Sequence, residues 1–254
     1  MTTERQLEVF DRLIRDFHES AVLRNARLAM KQSTCKMPER FGSHAGAGIV
    51  MKRDTAFELG GGAEGSCSIV MATSNESLVN ENRISLVGED LVDLPWGRVH
   101  PFGQILIVAG KDLSPKDVVA VEEATRVRDW IRGYQIRSMP GELFVRISTQ
   151  AMKEGLSFSE VGRALNALVR TRCPRIAKVE IAFITSSSDA VQGLYKLRQD
   201  VMEVSHNVRR EVMAEVGIDI DCPSGGHCGN CKDKATCIQV RHIQAMREQR
   251  KQST

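Results

Sequence analysis

The chain has 254 residues, 42% of them apolar, and carries 35 Lys and Arg against 32 Asp and Glu for a net charge of +3, a balance that excludes a disordered or fibrous protein. Aromatic residues make up 5% and are not interleaved with basic ones, which excludes a stacking platform for single-stranded nucleic acid. The longest aliphatic run, Ile105 to Ala109, is too short to span a bilayer, and the start at Glu4 and Arg5 lacks a signal peptide's apolar core, so a cytoplasmic protein without membrane insertion or nucleic acid is expected.

Leu7, Phe10, Leu13, Ile14 and Phe17 recur at helical spacing, and the reading is one amphipathic helix over residues 4–31. Residues 32–66 are rich in glycine and read as loops with short strands near Gly48 to Met51 and Phe57 to Leu59. Strands follow at Ser68 to Ala72, Ile84 to Val87 and Gln104 to Val108. From Ser114 the pattern alternates. Ser114 and Pro115 open a helix to about Arg132, Leu143 to Ile147 alternates as a strand, and Ser157 with Glu160 caps a helix that must stop before Pro174. Val179 to Ile184 is a further strand, and Ser186 to Ser188 begin a long helix to about Val216. The expected class is α/β, an α+β sandwich of two sub-domains with a mixed sheet, flanking helices and a C-terminal cysteine-rich metal loop. The expected divisions are 1–34 (N-terminal helix), 35–112 (glycine-rich strands), 113–217 (α/β) and 218–254 (cysteine loop and basic helix).

Seven cysteines are unevenly placed. Cys222, Cys228, Cys231 and Cys237 fall within sixteen residues in a C-x5-C-x2-C-x5-C pattern, whereas Cys35, Cys67 and Cys173 are scattered. In a reducing compartment such a cluster reads as a metal or iron–sulfur site rather than a disulfide framework. Four thiolates repel one another unless cations share their charge, and an iron–sulfur cube offers four metal corners, one for each. Gly225, Gly226 and Gly229 let backbone N–H groups approach the sulfurs. Zinc is the alternative, with His227 and His242 as substitute ligands, although a four-cysteine zinc site ordinarily pairs two C-x2-C knuckles and only one is present.

The remaining candidates read as structural. The Gly60 to Gly65 loop lacks the Lys of a phosphate-binding loop and is a tight turn; Cys67 is a buried small apolar residue; Cys173 ends a helix. Cys35 lacks a visible partner base, and His18, His44, His100 and His206 show no ligand spacing. Arg241, Arg247, Arg250 and Lys251 form a basic helix end.

Beyond these local readings, residues 57–216 carry an ordered series of motifs. They are Phe57-Glu-Leu-Gly-Gly, Asn82-Arg-Ile-Ser-Leu-Val-Gly-Glu-Asp-Leu, Pro101-Phe-Gly-Gln-Ile-Leu-Ile-Val-Ala-Gly-Lys111, Phe144-Val-Arg-Ile-Ser148, Gly155-Leu, Val161-Gly-Arg-Ala-Leu and Lys178-Val-Glu-Ile-Ala-Phe-Ile-Thr185. In order and spacing they resemble the β subunit of the anaerobic carbon monoxide dehydrogenase/acetyl-CoA synthase complex. The resemblance implies that Cys222, Cys228, Cys231 and Cys237 carry a 4Fe–4S cube, which in that family is bridged to a nickel pair where a methyl group and CO condense and pass to coenzyme A. It also implies protein partners: a carbon monoxide dehydrogenase-like subunit, a corrinoid protein or an electron carrier.

The metal loop departs from the family pattern. The family's distal nickel sits in a Cys-Gly-Cys tripeptide, whereas this loop reads Cys228-Gly-Asn-Cys231 and leaves no evident square-planar nickel site. The expectation is therefore a shortened relative that keeps an iron–sulfur centre for electron transfer, assembly or docking in one-carbon metabolism. Retained acetyl-CoA synthase or decarbonylase (acyltransferase) activity at an atypical cluster, and a structural zinc module, are the alternatives.

Overall fold

The computed structural model describes residues 3–24, 26–31, 50–61, 64–126, 131–139 and 141–215. Residues Met1–His206 form one compact unit, and a second is assigned from Asn207 onward. The helices are α1 (Thr3–Glu19), α2 (Ala21–Arg24), α3 (Pro115–Thr125), α4 (Thr149–Lys153), α5 (Phe158–Arg172), α6 (Ser188–Gln192) and α7 (Tyr195–Glu215). The strands are β1 (Arg27–Lys31), β2 (Thr55–Leu59), β3 (Ser66–Thr73), β4 (Arg83–Val87), β5 (Val99–His100), β6 (Phe102–Ala109), β7 (Tyr134–Met139), β8 (Glu142–Ser148) and β9 (Lys178–Ile184). The strands form a five-stranded sheet in the order β1-β4-β9-β6-β3 and a four-stranded sheet in the order β5-β2-β8-β7. Both sheets mix parallel and antiparallel pairs, with helices flanking them, and both take strands from either side of residue 112.

The centre of the larger sheet is buried on both sides, and its strands read accordingly as nearly continuous apolar runs. All eight residues of β6 are buried, and six of the seven in β9. On one face, Phe102 of β6, Phe183 of β9 and Phe158 of α5 stack, with ring centroids 4.6 to 6.3 Å apart. Helix α5 reaches this face closely because Gly162 has no side chain. A Cβ there would lie 2.7 Å from Ile84 Cδ1. On the other face, α1 buries Phe10, Leu13, Ile14 and Phe17. Its Asp11 carboxylate accepts a hydrogen bond from the Thr73 hydroxyl. Glu180, buried in β9, accepts from Asn80 N at 2.9 Å and Asn80 Nδ2 at 3.0 Å. His18 Nε2 lies 3.3 Å from Glu180, at ion-pair range but out of line for a hydrogen bond.

Several helix limits are local chemistry. Ser114 and Asp117 form a reciprocal capping box on α3, and Asp117 Oδ2 also accepts from Arg175 Nη1 at 3.1 Å. Burial alone would raise the Asp117 pKa; the Ser114 and Arg175 donors outweigh it and hold the carboxyl below its usual range. The contribution of this contact to stability is present above the ordinary carboxyl pKa and is lost as pH falls. Ser157 accepts from Glu160 N, and α5 ends on Cys173 as Pro174 demands.

Other limits differ from the periodicity. The N-terminal helix does not reach residue 31: α1 stops at Glu19, and Arg27–Lys31 instead add an edge strand antiparallel to β4. Helix α3 stops at Thr125, whose hydroxyl turns back to the Glu122 carbonyl, and Ile131 bridges Tyr134. The long helix is two, α6 and α7, parted at Gly193 and Leu194, and Leu194 is buried. Val50 and Met51 are not strand; Val50 N donates to the Gln135 side chain at 3.2 Å.

Phe158→Ala removes one of the three mutually stacked rings, and a loss of about 3 to 5 kcal/mol in unfolding free energy is expected by urea denaturation.

Candidate functional site

The four cysteines nominated by their spacing, Cys222, Cys228, Cys231 and Cys237, lie outside the described residues, as do Cys35, His227 and His242. The structure does describe the start of the helix that precedes them. Arg198, in the first turn of α7, donates from Nη1 to Glu142 Oε1 at 3.1 Å and to the Ser66 carbonyl at 3.3 Å. Its guanidinium carbon stands 4.4 Å from the centroid of the Tyr195 ring. The Ser66 hydroxyl donates to the Leu143 carbonyl at 2.7 Å and accepts from Leu143 N at 2.9 Å, while Ser68 N donates to the Gly141 carbonyl at 2.8 Å. The outer edge of β3, the start of β8 and the first turn of α7 therefore meet at one charged junction. Nothing in the sequence pattern singles out Arg198, because its partners are 56 and 132 residues away.

Cys67 sits beside this junction with no exposure to solvent. Burial pushes its thiol up to about 12, offset in part by Arg198 and reinforced by Glu142. A thiol with that pKa is not a nucleophile at neutral pH. Cys173 at the end of α5 is likewise raised by burial, and its sulfur contacts the Asp117 carbonyl at 3.9 Å. Both cysteines have the structural roles expected of them. Among the described residues no three His, Cys, Asp or Glu side chains come together to hold a metal ion, and no helix is long and apolar enough to cross a membrane.

His100 and the Gly60 turn are also structural. His100 Nε2 lies 2.8 Å from the Pro95 carbonyl, an obligate acceptor, so this nitrogen carries the proton. Gly60 has φ of +76°, and a Cβ on it would lie 2.4 Å from the Leu143 carbonyl. That loop start is a close-packed turn.

One face of the smaller sheet is left partly open. A cleft of about 260 Å³ there is lined by Glu58, Gly61, Arg137, Phe144 and Arg146, among others. Arg146 Nε donates to Glu58 Oε1 at 2.7 Å, whereas Arg137 is exposed and makes no ion pair among the described residues. Phe144 pairs directly with Arg137 across β8 and β7. A guanidinium without an ion pair among the described residues, beside a half-buried ring, suits an anionic group carried on an apolar body.

Comparison with known proteins bears on the whole scaffold. The sequence model of the family described as CO dehydrogenase/acetyl-CoA synthase complex beta subunit matches residues 37–190. Acetyl-CoA decarbonylase/synthase complex subunit beta of Archaeoglobus fulgidus is 26% identical over 172 residues, covering 67% of this chain and 32% of that protein. Subunit beta 1 of Methanosarcina thermophila is 25% identical over 174 residues, covering 67% and 36%. The Methanothermobacter thermautotrophicus subunit beta is 24% identical over 144 residues, covering 56% and 30%. The chain thus matches about a third of the length of these relatives.

At pH 8 native Cys67 is expected to resist N-ethylmaleimide and to react fully in urea, as read by peptide mass mapping. Labelling of Cys67 in the folded chain contradicts its placement.

Proposed function

From the premise that the chain belongs to the family of CO dehydrogenase/acetyl-CoA synthase complex beta subunits, we propose that it is an iron–sulfur subunit acting in electron transfer, assembly or docking in one-carbon metabolism. The observation that carries this reading is the conjunction of a family match over residues 37–190 with four cysteines packed into Cys222 to Cys237 downstream of it. The donor set fits the group: four thiols offer one thiolate to each metal corner of a 4Fe–4S cube. When bound, such a cluster supplies a one-electron couple. The chain's own part is to furnish the thiolates of Cys222, Cys228, Cys231 and Cys237. Unit Met1–His206 fastens the start of the helix before them through Arg198, Glu142 and Ser66.

Full acetyl transfer is not assigned to these residues. They contain no Cys-Gly-Cys tripeptide, so a nickel pair has no evident thiolate and amide donors among them. The relatives' names attach to proteins about three times as long as the stretch they share with this chain, and the partners proposed by analogy are a carbon monoxide dehydrogenase-like subunit, a corrinoid protein or an electron carrier.

Anaerobic purification followed by iron, sulfide, nickel and zinc analysis tests the reading. The expected content is about four iron and four acid-labile sulfide per chain without stoichiometric nickel, and Cys228→Ser loses most of the iron. Zinc without sulfide contradicts the cluster and leaves a structural zinc module. Stoichiometric nickel, with exchange of labelled CO into the carbonyl of acetyl-CoA, means that acetyl-CoA synthase chemistry is retained.

A further inference from the structure

We propose that the β2–β5 edge of the smaller sheet, carrying Met51, Trp96 and Val99, is the docking surface for a partner protein that presents an acidic rim around an apolar centre. The proposal rests on the reading of the chain as a complex subunit, but not on what the cysteines hold.

Large apolar side chains that remain more than a third exposed are few among the described residues: Met51, Val92, Trp96, Val99 and Met202. Four of these belong to residue 51 or to the segment 92–99, and the two segments run together. Gly97 N donates to the Ala56 carbonyl at 2.6 Å, Glu58 N donates to the Arg98 carbonyl at 3.1 Å, and Val99 stands in register with Glu58. Val99 also borders Gly61, where a Cβ would lie 3.3 Å from Val99 Cγ1, so the strip continues into the cleft beside Phe144 and Arg146. A concentration of this kind, where the other described large apolar residues are overwhelmingly buried, marks an interaction surface rather than scatter.

Trp96 is 49% exposed, yet the loop that carries it is fixed. Asp90 Oδ1 accepts from Leu91 N at 2.7 Å and from Phe158 N at 2.8 Å, Leu91 and Leu94 are buried, and His100 holds the Pro95 carbonyl. Gly97 follows with φ of +74°. An indole held out from so constrained a loop loses little conformational freedom on binding, and Trp is the residue type most enriched among binding hot spots.

The charges choose the partner. Asp54, Glu58 and Asp93 are matched by Arg53 at 3.7 Å, Arg146 at 2.7 Å and Arg27 at 3.8 Å. Lys52 and Arg98, the cations next to Met51 and Val99 in the chain, are exposed and have no ion pair among the described residues, so the sign immediately beside the strip is positive. A second copy docked on the same face would set like charges against each other. Two cations without an ion pair among the described residues fall short of the four to eight in basic clusters that read as binding anionic membranes. An acidic protein rim satisfies both the strip and its charge.

The test places p-benzoylphenylalanine at position 96, and separately at Met202 as a control, in the full chain produced in its native host, and sequences the photo-adducts. The partner so identified is then purified and titrated against the wild type, Trp96→Ala, Met202→Ala and the pair Lys52→Glu with Arg98→Glu. Expected is an adduct from position 96 to one other protein through an acidic segment. Affinity should fall roughly thirty-fold for Trp96→Ala and stay unchanged for Met202→Ala. The charge-reversed pair should bind more weakly and with a flatter salt dependence. An adduct from 96 only to another copy of this chain, binding to anionic vesicles of phosphatidylserine and phosphatidylcholine in place of a protein, or no adduct at 96 overturns the proposal. Adducts to a complex from position 202 alone leave the subunit reading intact and remove only this face. A chain that migrates as a lone monomer in native extracts removes the subunit reading itself.

Discussion

β9 pairs with two strands that come about a hundred and about seventy-five residues before it, parallel to β4 and antiparallel to β6, and among the described residues no other strand joins those halves of the larger sheet. Its insertion forces both of its faces into the interior, which is why Val179, Ile181, Phe183 and Ile184 are all buried. Phe183 then has to be matched by rings on β6 and α5, and Glu180 has to be met by hydrogen-bond donors from Asn80. A buried carboxylate without those donors would cost several kcal/mol. The placement of α1 and α5 on opposite faces follows from this one strand.

The same arrangement decides what the unit Met1–His206 can present. Because β3 forms the sheet's outer edge and β8 begins beside it, a single Arg198 can hold the first turn of α7 against both. The smaller sheet buries one side of β8 and leaves Glu142, Phe144, Arg146 and Ser148 on the other, so its open face holds the cleft. The β2–β5 edge exposes Trp96 from a loop whose backbone is already bonded to its neighbours. A family whose members are named as subunits of a multi-protein complex gives such a surface a purpose, and the four cysteines give the chain its proposed chemistry.

Legibility in the sequence followed how local the physics was. α5 could be read because Ser157, Glu160 and Pro174 are all start and stop signals within the segment itself. β6 and β9 could be read because burial on both faces writes an unbroken apolar run. β1 and β7 could not: Arg-Leu-Ala-Met-Lys and Tyr-Gln-Ile-Arg-Ser-Met carry mixed patterns that become strands only when β4 and β8 lie alongside. Which strands pair, and that they cross residue 112, was equally invisible, because pairing depends on partners distant in sequence. For the site the situation is the reverse. Thiol count and spacing nominate Cys222 to Cys237 without any coordinates, whereas Arg198 and the Trp96 edge emerge only once the sheets are assembled.

The central claim is that four thiolates downstream of an acetyl-CoA synthase-type scaffold hold an iron–sulfur cluster. The most direct measurement is the visible and low-temperature electron-paramagnetic spectrum of the chain isolated without oxygen, before and after dithionite. The account predicts a brown protein with broad visible absorption that bleaches on reduction and gives a rhombic signal that disappears in Cys231→Ser. A colourless chain, silent in both states and folded as judged by circular dichroism, would contradict it.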